Sequence, residues 1–137
     1  VFENLINRHA NALKSINNEF VYGFTQELDS EKDPRNLMSA FQIMTSIVEN
    51  FDISAHVEDI FEVAFCYFPI TFKPPPDDPY GITAEDLKIS LRECISSTPL
   101  FAKFTLPLIL EKLSSTSGSA KVNKYIFEWD DSVSTLF

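Results

Sequence analysis

A chain of 137 residues with an apolar share of 45% has material for one core or for about three helix-pair repeats. Its 11 basic against 20 acidic side chains leave a net charge of -9, which argues against direct nucleic-acid or membrane-surface binding, because neutralising phosphates needs a surplus of Lys and Arg. No apolar run reaches the length of a membrane span and no basic-then-apolar leader opens the chain, so a soluble intracellular protein is expected, and the opening Val1 in place of a methionine reads as a piece of something longer.

Three glycines, eight prolines gathered at a few boundaries and no sustained apolar–polar alternation point to an all-α chain. Phe2, Leu5, Ile6, His9 and Leu13 recur at helical steps and predict a helix over 1–14. Asn17 or Asn18 is expected to cap a second helix carrying Phe20, Val21, Phe24 and Leu28, which stops at the polar run 29–32. Asp33-Pro34 is a helix start, since the carboxylate can accept from first-turn amides and proline there forfeits no helical bond. The helix it opens carries a stripe of Leu37, Phe41, Met44, Val48 and Phe51, widened by Met38 and Ile47.

Ser54 is expected to open the next helix, with Val57, Ile60, Phe61, Ala64, Phe65 and Phe68 on one side and Val63, Cys66 and Tyr67 on the other. A helix apolar nearly all round must be covered on both sides. Pro69 should end it. A proline-rich connector then runs to Ile82, after which Thr83 and Asp86 form a capping-box pattern for a helix carrying Leu87, Leu91, Cys94 and Ile95. Thr98 and Pro99 repeat the cap-then-proline start for a helix with Phe101, Phe104, Leu108, Ile109 and Leu113, bent by Pro107, and a small-residue turn is expected over Ser114 to Ser119.

Little in the chain speaks for catalysis. His9 and His56 stand on different helices without a partner at metal-ligand spacing, and Cys66 and Cys94, far apart and outside any C-x-x-C, read as reduced core thiols rather than a disulfide or metal ligands. Glu58 and Glu62 lie one turn apart beside Asp59; they would serve acid–base chemistry only if an apolar pocket raised one pKa, and a solvated acidic face is the plainer reading. Glycine-rich phosphate loops and nucleophile elbows are absent. The expectation is a non-enzyme with no cofactor and no bound metal.

The segment with unusual content is the connector over 69–82. Pro74, Pro75 and Pro76 favour a stiff polyproline II stretch, and Phe72, Lys73, Asp77, Asp78 and Tyr80 are its candidate partner-binding side chains. The competing reading is a stapled loop whose aromatics pack down, although a loop this long in a compact array leans toward function.

Units beginning near Asn18, Ser54 and Pro99 give spacings of roughly 36 and 45 residues, the period of helix-pair repeats. QELDSEKDPRNLMSAFQIM and LPLILEKLSS give them a HEAT flavour, so a right-handed α-solenoid of about three repeats is expected over a closed helical bundle. It divides as 1–53, then 54–97 with the proline loop, then 98–137.

The stretch HVEDIFEVAFCYFPITFKPPPDDPYGITAEDLKISLRECISSTPLFAKFTLPLILEKL, with FVYGFTQELDSEKDPRNLMSAFQI upstream, resembles the amino-terminal region of the family of HEAT-repeat scaffolds of the cytosolic iron-sulfur cluster targeting complex, known for methyl-methanesulfonate sensitivity and nucleotide-excision repair. The resemblance runs from about Phe20 to Val122. It implies a cytoplasmic and nuclear adaptor that works with a WD-repeat propeller and a cluster-carrier subunit. Such an adaptor delivers clusters to apo-proteins of replication, repair and transcription, which makes its link to DNA indirect. A generic HEAT scaffold of the transport-receptor or phosphatase-regulator type is the alternative. The tail NKYIFEWDDSVSTLF departs from the family pattern, which would continue with a second helix after Ala120 and Val122.

Overall fold

The computed structural model describes residues 1–115; the remainder of the turn expected to end at Ser119 and the divergent tail from Asn123 lie outside the described residues. Six α-helices account for the architecture, and no strand occurs among the described residues. They are α1 (Phe2–Lys14), α2 (Asn17–Leu28), α3 (Pro34–Asn50), α4 (Val57–Phe65), α5 (Ala84–Ser96) and α6 (Ala102–Ser115), the last entered through a single 3-10 turn, Pro99–Phe101. α3 lies between α1 and α5, which makes one layer; α4 lies between α2 and the turn heading α6, which makes the other. The alternation of odd and even helices between two layers is the all-α, solenoid-like arrangement expected from the sequence.

The starts follow local chemistry. Asp33 accepts a hydrogen bond from the Arg35 amide at 2.9 Å, with Pro34 in the first helical position, as that dipeptide predicts. Thr83 and Asp86 form the full reciprocal box: the Asp86 amide donates to Thr83 Oγ1 at 3.1 Å and the Thr83 amide to Asp86 Oδ2 at 2.8 Å. Thr98 accepts from the Leu100 amide ahead of Pro99. Replacing Thr83 by alanine is therefore expected to cost about 1 kcal/mol, read as a lower urea midpoint at unchanged slope; an unchanged midpoint would mean that packing alone holds the start of α5.

Elsewhere tertiary demands displaced the expected cap. Asn17 is the first residue of α2, after Ile16, and its side chain caps nothing. Its amide instead donates to the Asp52 carbonyl at 2.6 Å and its Oδ1 accepts from the Asp52 amide at 3.1 Å, tying the head of α2 to the turn after α3. Ser54 does not open α4, because Asp52 Oδ1 takes both its amide (3.0 Å) and its hydroxyl (2.6 Å), so the helix begins three residues later. At the other end of α2, Tyr67 Oη, just past α4, donates to the Leu28 carbonyl at 2.8 Å and ties the ends of these two helices together. α1 is broken at His9 (φ -130°, ψ 23°), and α6 continues through Ser115, past the point at which a turn was expected.

Between the layers lie Val21, Phe41, Met44, Ile47, Ile60, Phe61, Leu87, Leu91, Cys94 and Phe101, all essentially inaccessible. On α3 the buried edge runs through Leu37, Phe41, Met44 and Ile47 to Phe51, with Met38 and Val48 partly buried along its margin, as the stripe predicts. Thr25 and Thr105 are also buried, and each hydroxyl donates to the carbonyl four residues back (Val21 at 2.8 Å, Phe101 at 2.9 Å), so neither brings an unpaired polar atom into the core. Cys94 is a core thiol as expected. Cys66 is not: it follows the last turn of α4 on the outer side, exposed, with its thiol donating to the Val63 carbonyl at 3.0 Å.

Candidate functional site

The connector between α4 and α5 is pinned at its base and free at its tip. From Phe68 to Phe72, across a cis Phe68–Pro69 bond, burial alternates: Phe68, Ile70 and Phe72 turn onto the core while Pro69 and Thr71 face out. Phe68 stacks on Phe65 with ring centroids 5.1 Å apart, and Ile82 closes the far end against the same core. Of the candidate side chains, Phe72 is thus a staple of the loop. The period-two signal F-x-I-x-F is the sequence feature that carries this role, and it stands apart from the prolines that give the connector its unusual content.

Lys73, Pro74, Pro75, Pro76 and Asp77 are exposed at the tip. The chain then folds back through a turn in which the Asp78 amide donates to the Pro75 carbonyl at 3.2 Å and Asp78 Oδ1 accepts from the Tyr80 amide at 3.3 Å. Gly81 completes it with φ +65°, a backbone state that a side chain would strain. Asp78 and Tyr80 are brought together by this turn.

Tyr80 lands on a partner that sequence reasoning missed. The Arg35 guanidinium sits 4.4 Å from the centroid of its ring, 45 residues away in the chain, at the head of α3. The same guanidinium grips Asp33 through Nε at 3.0 Å and through Nη2, and the Asp33 carboxyl is held at about 2 by the Arg35 side chain and then by the Arg35 amide. Glu31 is also held below its ordinary range, by the Asp33 and Lys32 amides and by Asn36. The acidic turn before α3 is therefore internally satisfied, and it forms a fixed seat for Tyr80.

The other candidates stay apart. His9 is exposed on α1; His56 is largely buried ahead of α4, with Nδ1 3.8 Å from an Asp59 carboxylate oxygen. Glu58 and Glu62 are exposed on α4. No group of three potential metal ligands occurs among the described residues, and no helix there is long and apolar enough to cross a membrane. The burial of Cys94 pushes its thiol up to about 12, and burial followed by the nearby Asp29 charge raises Cys66.

A two-layer helical array with a pinned, proline-tipped loop and a self-satisfied acidic turn defines the class: a helical-repeat-like protein segment that presents a surface. Residues 1–125 match the family model described as the Dos2-interacting transcription regulator of RNA-Pol-II, the amino-terminal region of MMS19. The chain is 52% identical over 112 residues to the MMS19 nucleotide excision repair protein homolog of Danio rerio (81% of this chain, 11% of that protein). It is 47% identical over 124 residues to that of Homo sapiens (90% and 12%), and 46% identical over 110 residues to the DNA repair/transcription protein of Saccharomyces cerevisiae that also bears the MMS19 name (80% and 11%). The chain belongs to the MMS19 family, and it spans about a tenth of the length of these relatives.

Proposed function

We propose that the chain is an amino-terminal segment of a DNA-repair and transcription scaffold, acting by holding other proteins. The two-layer array is read as HEAT-type, and the assembly served as the cytosolic iron-sulfur targeting complex: a WD-repeat propeller and a cluster-carrier subunit, with apo-enzymes of replication, repair and transcription as clients, in cytoplasm and nucleus. The observation that carries this reading is the loop over 69–82, whose base is anchored by Phe72 and by Tyr80 on Arg35 while Lys73, the three prolines and Asp77 stand free. A stiff, pre-ordered element loses little conformational entropy when a partner binds it. The excess of acidic side chains supports an indirect rather than a direct link to DNA.

The test is co-purification of the full-length parent with the propeller, the carrier and newly made iron-sulfur enzymes, comparing wild type with Lys73→Ala/Asp77→Ala. Phe72, Asp78 and Tyr80 are kept, because they hold the loop in place. Capture of clients is expected to fall about tenfold while the core complex is retained. Unchanged capture would make the loop structural, and failure of the wild type to associate with either group would remove the iron-sulfur reading.

A further inference from the structure

A second surface lies in the other layer, away from the loop. α4 and α6 leave an open, mostly apolar groove between them, with Phe104 and Leu108 on its floor and Phe61 beneath them. The Phe61 and Phe104 rings are stacked at 5.4 Å with 23° between their planes, which makes the floor flat and rigid. Glu58 and Glu62, one turn apart, form the α4 wall. Pro107 is on the α6 wall and has no N–H to give the Lys103 carbonyl, so a backbone acceptor beside the groove lacks its helical donor.

Two observations say what would fit there. The Lys103 ammonium lies 4.6 Å from the centroid of the Phe104 ring, so the floor already receives a lysine from its own helix. The α4 side of the approach is acidic: α2 and α4 carry exposed Glu19, Glu27, Glu58, Asp59 and Glu62 and no basic residue, while Lys103 on α6 is the cation at the groove; α1, α3 and α5 interleave both signs. Apolar floor, acidic wall and a resident ammonium together select a ligand that is basic and amphipathic.

We propose that this groove binds a basic amphipathic peptide segment of a partner protein, its apolar side chain on Phe104 and Leu108 and its lysines or arginines against Glu58 and Glu62. The site is independent of the proline loop, and the fate of either proposal leaves the other standing. The acidic approach speeds encounter and the apolar floor sets dwell time, so both features are needed for specificity.

The experiment is a fluorescence-anisotropy titration of the full 137-residue chain with a short labelled peptide in which lysines flank a Leu-Phe pair, alongside a lysine-only version of equal charge. Saturable binding of the first is expected, with the second weaker by about tenfold or more. Glu58→Lys/Glu62→Lys should weaken binding by about tenfold or more, and Lys103→Met should strengthen it a few-fold by removing the resident cation. Glu85→Lys/Glu93→Lys, the same charge change on α5 in the other layer, should leave it nearly unchanged. All four positions are exposed, and circular dichroism checks that each variant keeps its helix content. Absence of binding, equal binding of the two peptides, or equal losses in the two reversal pairs would overturn the proposal. So would sedimentation showing that the groove is filled by a second copy of the chain, a dimer broken by Glu58→Lys/Glu62→Lys.

Discussion

Phe61→Ala is expected to lower the stability of the chain by about 3–5 kcal/mol, the range for deleting a buried aromatic ring. Phe61 is 2% exposed and meets three other rings: Phe65 at 5.2 Å, Phe104 at 5.4 Å and Phe101 at 5.8 Å. It thereby joins α4 to both the 3-10 turn and the first turn of α6. Alanine would remove the apolar area and also leave a hole that the neighbouring elements cannot close without shifting. Against a total of about 5–15 kcal/mol for a domain, that loss removes a large part of the stability. Urea unfolding followed by far-ultraviolet circular dichroism reads it directly, and Phe61→Leu should recover more than half of the loss. A cost below about 1 kcal/mol would mean that the α4–α6 contact does not share the cooperative core.

Alkaline pH should destabilise the chain through Cys94. Its thiol is completely inaccessible, and burial lifts it from an ordinary value of 9.0 to about 12. Between those two values the unfolded chain has given up the proton and the folded chain still holds it, so stability is fully present below about pH 9 and falls as pH rises toward about 12. The slope is about 1.4 kcal/mol per pH unit from this group alone. Tyr67, raised to about 12 mainly by burial, adds in the same direction at the upper end. Urea midpoints measured upward from about pH 8 should decline, and Cys94→Ala should flatten the decline relative to Cys66→Ala. Thiol labelling gives the matching kinetic result, with Cys66 modified in the folded chain and Cys94 only at the rate of opening. A midpoint flat to about pH 11 in the parent would show that Cys94 ionises without unfolding.

Residues that act on their near neighbours were legible in the sequence. Asp33 with Pro34, Thr83 with Asp86 and Thr98 with Pro99 each satisfy first-turn amides within a few residues, so local hydrogen-bond chemistry is enough to place three helix starts. The apolar periodicity of α3, α4 and α5 likewise announced which faces are buried, and the proline connector stood out by content. The same local logic misplaced Asn17 and Ser54. Both could have capped, but each had a competing partner across a turn: Asn17 pairs with the Asp52 backbone, and Asp52 in turn holds Ser54. Apolar neighbours give Cys66 the sequence surroundings of a core residue, yet α4 has only one fully covered side, and the helix ends at Phe65 with Cys66 turned out.

The sequence by itself determined the all-α class, the helix order, the acidic balance that disfavours phosphate backbones and the position of the exposed loop, because composition, period and caps are local or additive properties. Only the tertiary structure decided that Phe72 is an anchor, that Tyr80 rests on Arg35 from 45 residues away, and that α4 and α6 part around an acidic-walled aromatic groove. Those outcomes depend on which helices share a layer and how far each is rotated, and that rotation is settled by packing many side chains at once.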